Sequence, residues 1–334
     1  MDEVFERRAL GRVLLALSPI MLLALATGHA QWWRVSLVTV SVAIATDRAR
    51  LAPLGVAAQC LAIAAGFLAI VASFTHPGVF VGVMVLLGMG SVLVTVRGTE
   101  MRSLGNFTFI PALYIACEIA EGSDRNVLFP RALTLVPYLL AAPVPVLLAC
   151  LIAQWRSRPT GGVSAWTHFA QWTLRGATTR PVEYRNAMIT IVLAVGLASA
   201  LVQWRSLLHG QWVIWSAASV VTGSIASARV KLHRRCVGAL VGVPAGLAIG
   251  VVVPHTPWLG DLILLVALLS LVGIRSYTVA FGTRCACAAM LLLVTGATWT
   301  QASDRLFAVL LGGTIGLLCT GAVHVVSRRL TGRR

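Results

Sequence analysis

Four arginines stand at or beside the ends of apolar runs. Arg97 and Arg275 each close an apolar run, after Val94-Thr95-Val96 and Val272-Gly273-Ile274, and Arg102 and Arg284 follow soon after them. A guanidinium offers a planar fork of donors that grips a carboxylate bidentately. The four could form a ring that attracts an anion, with Asn106 near the first pair and Tyr277 near the second. Snorkelling out of an apolar phase accounts for any single one of them, but not for their matched placement. Three carboxylates are candidates for carrying a proton, because a low-dielectric setting disfavours the ionised form. Glu118, late in an apolar run, is the best placed. Asp47 also reads as a helix cap beside Arg48 and Arg50, and Glu100 as a partner of Arg97 or Arg102.

Other chemistry is scarce. The cysteines (Cys60, Cys117, Cys150, Cys236, Cys285, Cys287, Cys319) show no CxxC spacing, and Cys285 and Cys287 point to different faces of a helix. They read as small buried hydrophobes. No His/Cys/Asp/Glu grouping has metal-ligand spacing, and there is no G-x-S-x-G or Walker A motif. The expectation is therefore no metal, no cofactor, no catalytic residues and no enzyme activity. His29, His76, His209 and His255 lie near the ends of apolar runs and read as interfacial.

The elements that must position these residues are membrane spans. Hydrophobic residues make up 58% of the 334 and charged ones 11%, where a soluble domain carries about 25% charged; the mean hydropathy is +0.86. A spanning helix needs about 20 apolar residues. The spacing predicts such helices over 10–27, 32–46, 51–74, 79–96, 103–119 and 131–155, then over 187–204, 211–226, 236–253, 259–274, 278–298 and 305–326, several of them short. The first run follows Arg7, Arg8 and Arg12 as a signal peptide would. It reads as an uncleaved helix, because the second set opens in a similar way at Glu183-Tyr184-Arg185.

The net charge of +16 follows these spans and forms no compact basic domain, so nucleic-acid binding is not expected. With cytoplasmic termini, 22 of the 27 basic residues fall in inner segments, and Arg34, Arg125, Arg131, Arg205 and Arg305 fall outside. Basic residues stay inside, so this asymmetry predicts both termini cytoplasmic.

The two sets resemble a duplication. A shift of 180 aligns Gln31-Trp32 with Gln211-Trp212, Ala65-Gly66 with Ala245-Gly246 and Pro77 with Pro257, with eight identities over residues 31–77. Loop chemistry repeats as well: basic loops at 47–50 and 228–235, and Ser-Asp-Arg at 123–125 and 303–305. The expected fold is an all-α integral membrane protein of about twelve transmembrane helices. They form two parallel six-helix repeats, 1–155 and 186–334, about a pseudo-two-fold axis along the membrane normal. Between them, 156–185 reads as a cytoplasmic linker. Trp166, Phe169, Ala170 and Leu174 beside Arg175 suit a short helix on the inner leaflet, and an ordered linker explains them equally. Tryptophans near run ends form an aromatic belt. Glycines such as Gly238, Gly242, Gly246, Gly312, Gly313 and Gly316 suit close helix packing.

The second half reads Gln211-Trp212-Val213-Ile214-Trp215-Ser216, then a basic loop, then Arg235, Gly238 and Gly242 at RxxGxxxG spacing. It closes on Asp304-Arg305 opening a helix with Gly312-Gly313 and Gly316. This order resembles the membrane half-unit of the fusaric acid resistance and aromatic acid exporter superfamily over most of 186–326, and the first half resembles it more loosely at Arg50 and Gly55. The resemblance implies a proton-driven exporter of aromatic or other organic acids in a bacterial inner membrane. It also implies a small organic anion as substrate, with a periplasmic membrane-fusion protein, an outer-membrane channel and further copies of the chain as partners. Many members carry a large cytoplasmic domain; here about thirty residues stand in its place. A passive anion channel and a scaffold subunit of an export complex are the alternative functions.

Overall fold

In the computed structural model the described residues are 6–98, 100–121, 123–156, 171–173 and 184–332. They are almost wholly helical: α1 (Arg7–Thr27), α2 (Gln31–Ala49), α3 (Pro53–Ser73), α4 (Pro77–Leu93, continued by a 3-10 turn Val94–Arg97), α5 (Met101–Ala120), α6 (Arg125–Ala141), α7 (Val144–Arg156), α8 (Arg185–Arg205), α9 (Gly210–Val220), α10 (Ile225–Val252), α11 (Pro257–Gly273), α12 (Tyr277–Val294) and α13 (Trp299–Thr331). Among them, nine helices are long and apolar enough to cross a membrane, with α6 and α7 counted together. Of the twelve expected spans, α2, α9 and α11 fall short. α2 carries Arg34, Asp47 and Arg48, α9 has 11 residues, and α11 has 17. Large apolar side chains lie both inside, as with Phe67 and Ile70, and outside, as with Leu15 at 74% and Val252 at 84% exposure. An apolar exterior suits lipid, which is as apolar as the side chains it touches.

The helix starts depart from the sequence reading at α6, which begins at Arg125 and not at 131, and in two further places. Residues 228–235 are not a loop. The Ser224 hydroxyl accepts from the Ser227 N–H and starts α10 at Ile225, so the basic residues form its first three turns. Arg, Lys and Leu are good helix formers, and hydropathy alone mistakes their charge for a break. Likewise a capping box between Thr298 and Gln301 starts α13 at Trp299, placing Ser303, Asp304 and Arg305 inside the helix. The expected single run 131–155 is two helices, because Pro143 has no N–H to continue α6.

The chain divides into two compact units. The first comprises Val13–His76 and Met89–Tyr184. In it α2 and α3 both pack on α5, and α3 on α6. The Thr39 hydroxyl donates to the Ala142 carbonyl at 2.8 Å, satisfying one acceptor at the break between α6 and α7. Residues 171–173 lie against the α2–α3 corner: the Ala52 N–H donates to the Trp172 carbonyl at 3.0 Å, and Leu51 bridges Thr173. The surface helix expected around Trp166 to Arg175 otherwise lies outside the described residues.

The second unit comprises Met1–Arg12, Pro77–Gly88 and Arg185–Arg334. Two glycine seams organise it. Along α10, Gly238, Gly242 and Gly246 face the backbone of α12 at Thr278, Gly282 and Ala286, and a Cβ at Gly242 would fall on the Gly282 backbone. Along α13, Gly312 and Gly316 meet the Val213 and Ala217 carbonyls of α9 in the same way. Gly242→Val is expected to lower the stability of the detergent-solubilised protein by about 1–3 kcal/mol, the range for overpacking. Gly82→Ala, where a Cβ meets nothing within 4 Å, is the matched control. A Gly242→Val protein with an unchanged melting temperature would show that the seam yields freely.

Candidate anion site

The seams hold three arginines within one unit. α10 lies against α12, so Arg235 sits over the Phe281 ring, its guanidinium carbon 4.2 Å from the centroid; Arg284, one turn along α12, faces the same ring at 5.6 Å. α13 lies against α9, so Arg305 enters between Trp212 at 4.7 Å and Trp215 at 5.6 Å. A cation over an aromatic face is attracted by the ring quadrupole, more strongly where water is excluded. Here it is: Arg235 is 2% and Arg305 3% exposed. Arg284 lies within electrostatic reach of both.

Hydrogen bonds to these guanidiniums are few. Arg235 donates to the Tyr277 hydroxyl at 3.4 Å and to the Ser216 hydroxyl at 3.3 Å, and Ser216 in turn donates to the Val309 carbonyl at 2.9 Å. Arg284 donates to the Ser270 carbonyl at 3.2 Å. The Nε of all three arginines is buried without a hydrogen-bond partner among the described residues. Among the described residues no carboxylate pairs with any of them. Buried charge is costly unless compensated, so three cations and several idle donors make a place for an anion. A metal ion would be repelled there, and among the described residues no group of His, Cys, Asp and Glu could hold one.

Of the residues expected from sequence, Tyr277 and Arg284 belong to this cluster. Arg275 is exposed in the turn before α12. Arg97, Arg102 and Asn106 belong to the other unit. There, Arg97 is exposed on the 3-10 turn with its guanidinium 5.8 Å from the Trp172 ring, while Arg102 and Asn106 are half-buried one turn apart on α5. Glu118 on α5 forms an ion pair with Arg34 on α2, Nε to Oε1 3.3 Å, both side chains about a third exposed. Asp47 does not cap α3: the cap position is Ala52, without a side-chain bond, and Asp47 is exposed in the last turn of α2. A carboxylate cannot cap a helix that starts beyond its reach. Glu100 precedes α5 and has one carboxylate oxygen buried without a partner among the described residues.

Arg235 and Arg305 were read from sequence as surface charges on opposite sides. Their partners on α9, Ser216 and Trp212, are four residues apart, about 6 Å along a helix, far less than the ~30 Å of a bilayer core. Both therefore leave the loop tally, as does Arg284, and the remaining asymmetry is 20 against four. One signal was present in the sequence: Arg235, Gly238 and Gly242 fall at i, i+3 and i+7, on the face that packs. Nothing local marked Phe281 or Ser270.

The fold and site define a multi-pass, all-helical membrane protein with a buried basic cluster. Residues 197–319 match the family described as fusaric acid resistance protein-like. The matched residues run from within α8 into α13 and include every member of the arginine cluster. No curated protein and no solved structure matches the chain. Family and apolar helices together mark a membrane protein related to transport.

Proposed function

We propose that the chain is a secondary transporter exporting aromatic or other organic acids across a bacterial inner membrane, driven by protons. In this reading Arg235, Arg284 and Arg305 receive the anion. The carrying observation is Arg305, a buried guanidinium held beside two indole rings, whose Nε has no hydrogen-bond acceptor among the described residues. Arg97, Arg102, Asn106 and Arg275 draw the anion to the membrane surface, and Glu118, exchanging its hold on Arg34 for a proton, couples the movement. The proposed arrangement keeps two parallel repeats, 1–155 and 186–334, cytoplasmic termini, and a membrane-fusion protein as partner.

The test is flux in proteoliposomes carrying an inward proton gradient and a panel of labelled organic acids. Gradient-dependent movement of one or more acids, stopped by a protonophore, is expected. Flux that survives collapse of the gradient would replace the exporter by a passive channel, and no flux of any acid would leave the scaffold role.

A further inference from the structure

Resting on the anion-site reading above, we propose that the ligand of the Arg235/Arg284/Arg305 site is a compact organic dianion, recognised by its two charges and not by an aromatic ring. Two observations carry this. The first is charge. Three guanidiniums share one buried region without a described counter-charge, and a monoanion would leave two of them uncompensated in a setting where charge is expensive. The second is that the aromatic rings are already engaged. Phe281 carries both Arg235 and Arg284, and Tyr277 stacks beside it with centroids 6.2 Å apart and planes at 12°. Trp212 and Trp215 are taken by Arg305. On the faces that front the cluster a ligand ring would have to displace a guanidinium, so the rings hold the arginines and the arginines read the ligand.

The donor geometry agrees. A carboxylate binds a guanidinium side-on through Nε and the neighbouring Nη. On Arg284 that edge is idle, because its bond to Ser270 uses Nη1, and on Arg305 no donor has an acceptor among the described residues. Two carboxylates on a short linker would address these two edges, while Arg235 supplies the third charge from across Phe281.

Four acids separate charge from ring: butyrate, benzoate, succinate and phthalate. The thermal midpoint of the purified full-length chain in detergent is titrated with each at pH 7.5 and constant ionic strength, because a ligand that binds only the folded state raises it. Succinate and phthalate are expected to bind at least about tenfold tighter than butyrate and benzoate, the effect of one further charge pair in a low-dielectric site. Adding the ring at fixed charge is expected to change affinity by less than about threefold. Arg305→Gln, with Arg284→Gln as a second variant, should erase the preference for dianions. Grouping of benzoate with phthalate, or equal binding of all four that Arg305→Gln abolishes, would overturn the dianion and leave an anion site. Binding that is absent, or equal in wild type and both variants, would remove the anion site itself.

Discussion

Arg305→Gln is expected to lower organic-anion flux by about 100-fold or more at matched membrane abundance, the scale on which losing one preorganised charged donor acts. The guanidinium is 3% exposed and lies between the Trp212 and Trp215 rings, with no acceptor in the described structure. No hydrogen bond to a described residue therefore accounts for it. Lysine separates the remaining explanations. An ammonium keeps the charge but lacks the planar face and the fork. Arg305→Lys is expected to restore no more than about a tenth of the flux. If Arg305 served only to fill space and hold α13 on α9, leucine would do as well as lysine. Full flux in Arg305→Leu would end the functional reading.

Glu118→Gln is expected to abolish accumulation driven by a proton gradient, by at least about tenfold, while exchange of labelled for unlabelled anion persists. The carboxylate sits on α5 against Arg34 on α2, both half-open to the surroundings. Glutamine preserves shape and removes the titrating proton. An ion pair that serves only to join α2 to α5 makes a different forecast, because replacing both partners then relieves the unpaired charge. The double variant Arg34→Gln/Glu118→Gln should stay uncoupled if Glu118 carries the proton. Recovery of gradient-driven accumulation in the double variant would reduce the pair to a structural tie.

Most helices were legible because a run of some twenty apolar residues allows few alternatives. What failed was the boundary logic at charged residues. Arg229, Lys231, Arg234 and Arg235 looked like a loop because hydropathy falls there, yet Ser224 caps and the basic side chains favour helix. The same error put Arg305 at a helix start and made Arg235 and Arg305 topological markers. Their depth depends on what they touch, and contacts with Ser216, Phe281, Trp212 and Trp215 join segments tens of residues apart. Tyr277 and Arg284 were found because their own helix carried the signal. Arg235 was half-found through its glycine spacing, and the three arginines became one site only once α9, α10, α12 and α13 were packed.

The glycine seams also settle which motions the second unit can make. Where backbone touches backbone, as at Gly242 on Gly282 and Gly312 on Val213, sliding one helix past its mate drives main chain into main chain. α10 with α12, and α9 with α13, are therefore stiff two-helix blades. Arg235 and Arg284 ride with Phe281 on one blade; Arg305 rides with its two tryptophans on the other. A rocking of blade against blade stretches the long Arg235–Ser216 hydrogen bond and shears the packing of α10 on α13, where Leu232 meets Gly313. It would also let the guanidiniums, which repel one another, move apart. An anion between them would act as the clasp that draws the blades together, and its departure would leave the protein's own positive charge to spring them open.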